Sequence, residues 1–158
     1  MIPEDQARFL TGPVIAFVGT RNGQLRPSMA WAAAPRANAA EETITFILPD
    51  LESARVKEDL ADNGLIALTA LDPLSHETYQ YKGKYLGSRA PDQNDKALHD
   101  IHKAKINTRL REGCYRADLF DRFVFWPGTA VTFRVADIFI QTPGPQAGKR
   151  LPFVPSVK

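Results

Sequence analysis

Apolar and polar residues alternate with period two over much of this chain, and the alternation is broken at a few turn-forming positions. Pro13 to Thr20 is rich in Val, Ile and Phe and reads as a strand. Asn22-Gly23 follows, a pair that tolerates the positive φ angles of a tight hairpin. Leu25 to Ala34 is therefore predicted to return as a second strand, with Pro27 marking an edge or bulge near its start. Residues 35 to 41 read as a loop. Glu42 to Leu48 sets Ile44, Phe46 and Leu48 against Thr43, Thr45 and Ile47, giving a third strand. Leu65 to Leu71 and Thr78 to Leu86 read as the fourth and fifth, and Thr129 to Gln141, alternating through Val131, Phe133 and Val135, as the sixth.

Helical spacing is confined to three stretches. In residues 4 to 11, Ala7 and Leu10 share a face and Gly12-Pro13 stops the helix. Leu51 to Asn63 has Asp50 or Ser53 as N-cap, Val56 and Leu60 one turn apart, and Asn63-Gly64 as its stop. Pro91 to Arg111 is the longest. Pro91 suits its first turn, and Ala97, Ile101 and Ala104 form a narrow apolar stripe that leaves most of the helix to solvent. Residues 115 to 123 allow a short helix. From Thr142 onward Pro143, Gly144, Pro145 and Gly148 interrupt any regular element, so one domain over 1–142 is expected, followed by a tail over 143–158. Strands dominate and do not alternate with helices. This predicts a mainly β fold, an antiparallel barrel with peripheral helices rather than a parallel sheet.

Composition narrows the function classes. The chain has 158 residues, enough for one domain with a sizeable core. Its net charge of +2 is too small to argue for nucleic acid, and no basic arm is present. Its single cysteine, Cys114, excludes an intrachain disulfide and a paired-cysteine metal site. Apolar runs are strand-length, short of the ~18 residues of a membrane helix. Nothing in Met1-Ile2-Pro3-Glu4-Asp5 reads as a leader, so a cytoplasmic protein is expected. His99 and His102 sit three apart on the long helix, but no Cys, Asp or Glu completes a metal site, and they are expected at the surface. No nucleophile elbow or phosphate-binding glycine loop is found, and no catalytic residue is singled out.

Three stretches carry a pattern in combination. The first hairpin runs from Phe17-Val18-Gly19-Thr20 to Arg26-Pro27-Ser28-Met29-Ala30-Trp31. A strand and helix follow, Thr45-Phe46-Ile47-Leu48 and Ser53-Ala54-Arg55-Val56-Lys57-Glu58-Asp59-Leu60. The third is Thr78-Tyr79-Gln80-Tyr81-Lys82-Gly83-Lys84-Tyr85. In order and spacing, over residues 5 to 140, the chain resembles the pyridoxamine 5'-phosphate oxidase-like proteins and their small general-stress relatives. The resemblance implies a six-stranded antiparallel split barrel that binds FMN at a homodimer interface. It implies that Ser53, Arg55 and Lys57 hold the flavin phosphate at the start of the helix after strand three, where free N–H groups and the helix dipole favour an anion. It places Arg26, Ser28, Met29, Ala30 and Trp31 along the ring, and Gln80 and Lys82 within reach of flavin oxygens or phosphate. Met29, Trp31 and Trp126 are the candidates for the dimer interface.

Two departures are visible. Where the small relatives often show Lys-x-x-Asn-Leu, this chain reads Val56-Lys57-Glu58-Asp59-Leu60, and the C-terminal Arg-x-His signature of vitamin B6 oxidation is absent. The implied activity is thus an FMN-dependent oxidoreductase of unassigned small-molecule substrate. A non-catalytic flavin- or haem-binding dimer, or a cofactor-free one, is the alternative.

Overall fold

The computed structural model describes residues 1–116, 120–123 and 125–152. Along the chain lie α1 (Glu4–Leu10), β1 (Ile15–Arg21), β2 (Pro27–Asn38), β3 (Thr43–Pro49), α2 (Ala54–Asp62), β4 (Leu65–Leu71), β5 (Thr78–Arg89), α3 (Gln93–Glu112), a 3-10 turn (Phe120–Arg122) and β6 (Gly128–Ile140). The six strands close into one barrel in the order β1-β2-β3-β6-β5-β4, and every ladder is antiparallel. Helices enter only where the sequence alternation lapses.

Inward positions fill the barrel at close packing. Small residues, Ala16, Ala30 and Ala32, come from β1 and β2; large ones, Phe46, Phe133 and Tyr81, come from the opposite wall. The Tyr81 hydroxyl is satisfied by donating to Gln6 Oε1 of α1 at 2.9 Å. Burial pushes the Tyr81 phenol well above its ordinary range, so it stays a neutral donor. On α2, Val56 and Leu60 are buried as their spacing predicts, and Thr20 of β1 donates to the buried Asp59 at 2.7 Å. Gly83 marks a register shift between β5 and β6. A Cβ there would lie 1.9 Å from the Arg134 carbonyl oxygen, so only glycine permits that approach.

Several details depart from the sequence expectation. The first hairpin turns where Asn22-Gly23 predicts, but by other means. Arg21 pairs with Pro27, the positive φ falls on Leu25, and the Asn22 side chain accepts from the N–H groups of Gln24 and Arg26. β2 does not end at Ala34. It continues to Asn38 through a register shift between Ala33 and Arg36, where Ala34 adopts φ 48°. Helix α3 begins at Gln93, two residues after Pro91, and Asp92 caps it. On α1 the buried pair is Gln6 and Leu10 rather than Ala7 and Leu10.

The largest departure is the face that α3 buries. Ile101 is 52% exposed, and Ala97 and Ala104 are exposed with it. Asp95, His99, His102, Ile106 and Leu110 face inward instead. Ile106 and Leu110 join Phe120 and Phe125 over the outward residues Ala33, Ile47 and Ala130. The polar half of the face meets polar backbone. The irregularity in β2 frees the Ala34 N–H, which donates to His102 Nδ1 at 3.2 Å. Arg36 and Arg89 both pair with Asp95. The two histidines are therefore buried, not surface residues.

Beyond β6 the chain reverses rather than trailing away. Ile140 N–H donates to the Lys149 carbonyl and Leu151 N–H to the Ile138 carbonyl, at 2.9 and 2.8 Å. Arg150 pairs with Asp137, and Leu151 packs against the barrel core. Among the described residues, no helix is long and apolar enough to cross a membrane.

Candidate functional site

Alternation on β2 sends Ala30 and Ala32 into the barrel and Met29 and Trp31 outward. Trp31 pairs with Phe17 of β1, whose ring lies 4.4 Å away. The segment after α3 brings Phe123, Phe125 and Phe120 to within 4.8, 5.8 and 6.0 Å of the Trp31 ring. Phe120 and Phe125 stack on each other at 5.1 Å. A hollow of about 370 Å³ opens against these rings, bordered by Met29, Leu51, Glu52 and Arg122. Met29 is 69% and Leu51 63% exposed, so its rim is apolar surface left uncovered.

A second hollow of about 430 Å³ adjoins it, lined by Pro27, Ser28, Met29, Glu52, Ala54 and Arg55. Met29 and Glu52 border both hollows, which makes them one groove. Its wall is a strand edge. Ladder pairing of β2 with β3 begins at Ala33 opposite Ile47, so the stretch from Pro27 to Ala32 keeps one edge without a strand partner. Peptide groups on such an edge can hydrogen-bond a ligand laid alongside.

The far end of the groove is the N-terminus of α2. Ser53 sits at the cap position, but its hydroxyl donates back to the Asp50 carbonyl at 3.4 Å and caps no helix N–H. The first helical bond is Lys57 N–H to the Ser53 carbonyl, which leaves the N–H groups of Ala54, Arg55 and Val56 without helical acceptors. No acidic residue occupies this first turn, and Arg55 stands exposed within it. The turn that leads in is strained. Glu52 adopts φ 66°, in the left-handed region that costs a non-glycine residue ~1 kcal/mol.

The structure sorts the residues singled out from sequence. Ser28, Met29, Ala30, Trp31 and Arg55 line the two hollows, Ala30 from beneath as a buried residue. Lys57 does not line either. Its ammonium lies 2.7 Å from Asp50 Oδ1, a hydrogen bond that, with one from Thr129, holds the Asp50 carboxyl below its usual range. Ser53 is fully buried and lines neither hollow. Arg26 projects from the hairpin loop and lines neither hollow.

Gln80 and Lys82 share an outward face of β5, as their period-two spacing predicts, but not this groove. The pairings run Trp31–Phe17–Thr69–Gln80 and Met29–Gly19–Ala67–Lys82 across four strands. At ~4.8 Å per strand, β5 lies three strands, roughly 14 Å along the barrel wall, from β2, on the opposite side of the barrel. Gln80 donates to Thr69 at 3.2 Å, and the Lys82 ammonium lies 4.7 Å from the Phe139 ring centroid. Trp126, an interface candidate from sequence, packs partly within the chain, with His99 at 5.8 Å and the Lys96 ammonium at 5.7 Å. Phe17, Phe120, Phe123, Phe125 and Glu52 were not singled out by the sequence. The aromatic density from Phe120 to Trp126 was its one visible signal for the phenylalanines.

No protein-family model matches the chain, and no curated protein matches it by sequence. Solved structures do. HupZ of Group A Streptococcus superposes with a TM-score of 0.56 at 17% identity, covering 94% of this chain and 100% of that one. A putative pyridoxamine 5'-phosphate oxidase from Lactobacillus delbrueckii gives 0.54 at 12% identity, covering 87% and 93%. An FMN-binding protein from Syntrophomonas wolfei gives 0.52 at 12% identity, covering 85% and 83%. The chain has the pyridoxamine 5'-phosphate oxidase-like split-barrel fold.

Proposed function

We propose that this protein binds FMN in the groove between β2 and α2 and acts as a flavin-dependent oxidoreductase, with a second copy of the chain covering the open side. One observation carries the reading. The groove is aromatic at one end, runs along a free strand edge, and ends on an uncapped helix N-terminus bearing Arg55. FMN has a planar aromatic ring joined through a hydroxylated chain to a terminal phosphate, so the residues present fit it. The occurrence of an FMN-binding protein among chains of this fold supports the same reading.

Arg55 grips the phosphate with its guanidinium while the N–H groups of the first turn of α2 add neutral donors. Ser28 and the β2 edge meet the polar side of the ligand, and Trp31 and Met29 provide apolar contact for the ring. Bound there, a flavin supplies electron transfer between a donor and a small-molecule acceptor, while the protein supplies position and water exclusion.

Charge-assisted contacts to phosphate contribute on the order of 1.5–3 kcal/mol. Arg55→Ala is therefore expected to weaken FMN about tenfold to a hundredfold, and to leave riboflavin, which lacks the phosphate, nearly unchanged. Titration of both flavins by fluorescence quenching checks this. Equal losses for the two would make Arg55 structural. Failure of the wild type to bind any flavin would remove the reading, and a Soret band on adding haem would replace it with the haem alternative.

Gln80 and Lys82 line neither part of the groove of their own chain; they face a hollow of about 490 Å³ that shares only Pro27 with it. They reach a flavin from the partner subunit. Light scattering at micromolar concentration is expected to give the mass of a dimer; a monomer that binds FMN with full affinity would show that the second wall is unnecessary.

A further inference from the structure

Glu52 is the one charged side chain that lines both hollows of the groove. It is exposed, and among the described residues it makes no hydrogen bond or ion pair. Its left-handed backbone places it in the turn that ends β3, one residue before the cap position of α2. A carboxylate in this place is unexplained by packing, since it supports no neighbour. It is also unexplained by phosphate binding, because it would repel a dianion held at Arg55.

What passes over Glu52 follows from the two ends of the groove. The aromatic hollow takes the ring and the Arg55 hollow takes the phosphate, so the chain that joins them crosses at Met29 and Glu52. In a flavin mononucleotide that linker is a polyol. Its hydroxyls are donors, and an ionised carboxylate offers only acceptors, up to four lone-pair sites on two oxygens. Hydroxyl-to-carboxylate hydrogen bonds are charge-assisted and short.

We propose that Glu52 reads the hydroxylated linker of the ligand, accepting hydrogen bonds from adjacent hydroxyls and so selecting a ring-polyol-phosphate over a bare aromatic ring. The proposal rests on the flavin reading above and adds a specificity determinant to it. It also predicts an internal tension: the carboxylate helps the polyol and opposes the phosphate.

Three ligands separate these contributions. Lumiflavin has the ring alone, riboflavin adds the polyol, and FMN adds the phosphate. Glu52→Ala is expected to weaken riboflavin about tenfold and FMN less, because removal of the carboxylate also relieves the phosphate, and to leave lumiflavin unchanged. Glu52→Gln keeps one acceptor oxygen and is expected to lose about threefold for riboflavin. Thermal melts of both variants matching the wild type establish that the turn still forms. An equal loss for lumiflavin would overturn the proposal, showing that Glu52 shapes the ring hollow. An unchanged riboflavin affinity would overturn it too, and tighter FMN without a riboflavin effect would leave Glu52 as nothing more than a neighbouring charge. Wild-type protein that binds none of the three sinks the flavin reading itself, an outcome distinct from any of these.

Discussion

Replacement of Asp95 by alanine is expected to destabilise the fold by about 3–5 kcal/mol, the range for removing one member of a buried, hydrogen-bonded ion cluster. The side chain is fully buried and serves three partners. It accepts from Arg89 at 2.5 and 3.2 Å, pairs with Arg36, and closes the capping box of α3 by accepting from the Asp92 N–H at 2.9 Å. Alanine would leave the largely covered Arg36 guanidinium without its carboxylate, turn the half-exposed Arg89 to solvent and cost a cap as well. Burial pushes the Asp95 carboxyl up, but the Arg89 hydrogen bond, the Asp92 N–H and Arg36 outweigh it and hold the group at about 2. Because the folded value lies below the ordinary 3.8, this stabilisation is present above that pH and is lost as pH falls toward 2. A thermal melt at neutral pH is expected to fall by about 10 °C or more for a chain of this length. A loss under about 1 kcal/mol would place the cluster with ordinary surface pairs.

His102 gives the second large effect, through pH. Its Nδ1 accepts the Ala34 N–H, so the ring must be neutral to hold the irregular part of β2. Burial lowers its pKa from 6.5 to about 4, opposed in part by the nearby Val14 carbonyl and aided by the positive potential of His99 and Lys105. The folded value is depressed, so the neutral form is favoured by folding. The full contribution is present above pH 6.5 and drains away between 6.5 and about 4, where the unfolded chain takes the proton first. That interval corresponds to about 3 kcal/mol. His102→Asn is expected to be less stable at pH 7 and to show a flatter stability profile over this range. Denaturant midpoints measured from pH 7 to pH 4 provide the comparison, and parallel profiles for the two proteins would contradict the assignment.

Much of the barrel was readable because each strand carries its own alternation and its own breakers. Leu65–Leu71 needed nothing from elsewhere in the chain to be recognised. Ser28, Met29, Trp31 and Arg55 were readable for the same reason, since each owes its outward position to its own strand or helix. The misreadings share another cause. The inward face of α3 is polar because it meets the Ala34 N–H, Arg36 and Arg89, partners that arrive only through tertiary structure. The apolar stripe Ala97-Ile101-Ala104 therefore faces solvent, opposite to what its spacing predicts. Glu52 gave no signal, because its place between two hollows exists only in the folded chain. Lys57 had the right charge in nearly the right place, yet Asp50, seven residues away, claims it.

The strand order has a consequence for when the groove can exist during synthesis. Its β2 floor and its Arg55 end come from residues 27 to 55, made early, while Phe123 and Phe125 come more than sixty residues later. Phe125 packs there against Ile47 of β3, Ala130 of β6 and Ile106 and Leu110 of α3, and β6 itself pairs with β3, Thr43 opposite Arg134. Pairings of such sequence separation form late and slowly. A nascent chain that has exposed only its first four strands thus lacks the Phe123 and Phe125 wall of the aromatic hollow. The aromatic hollow is therefore complete only once the final strand has joined β3, and its appearance marks completion of the fold.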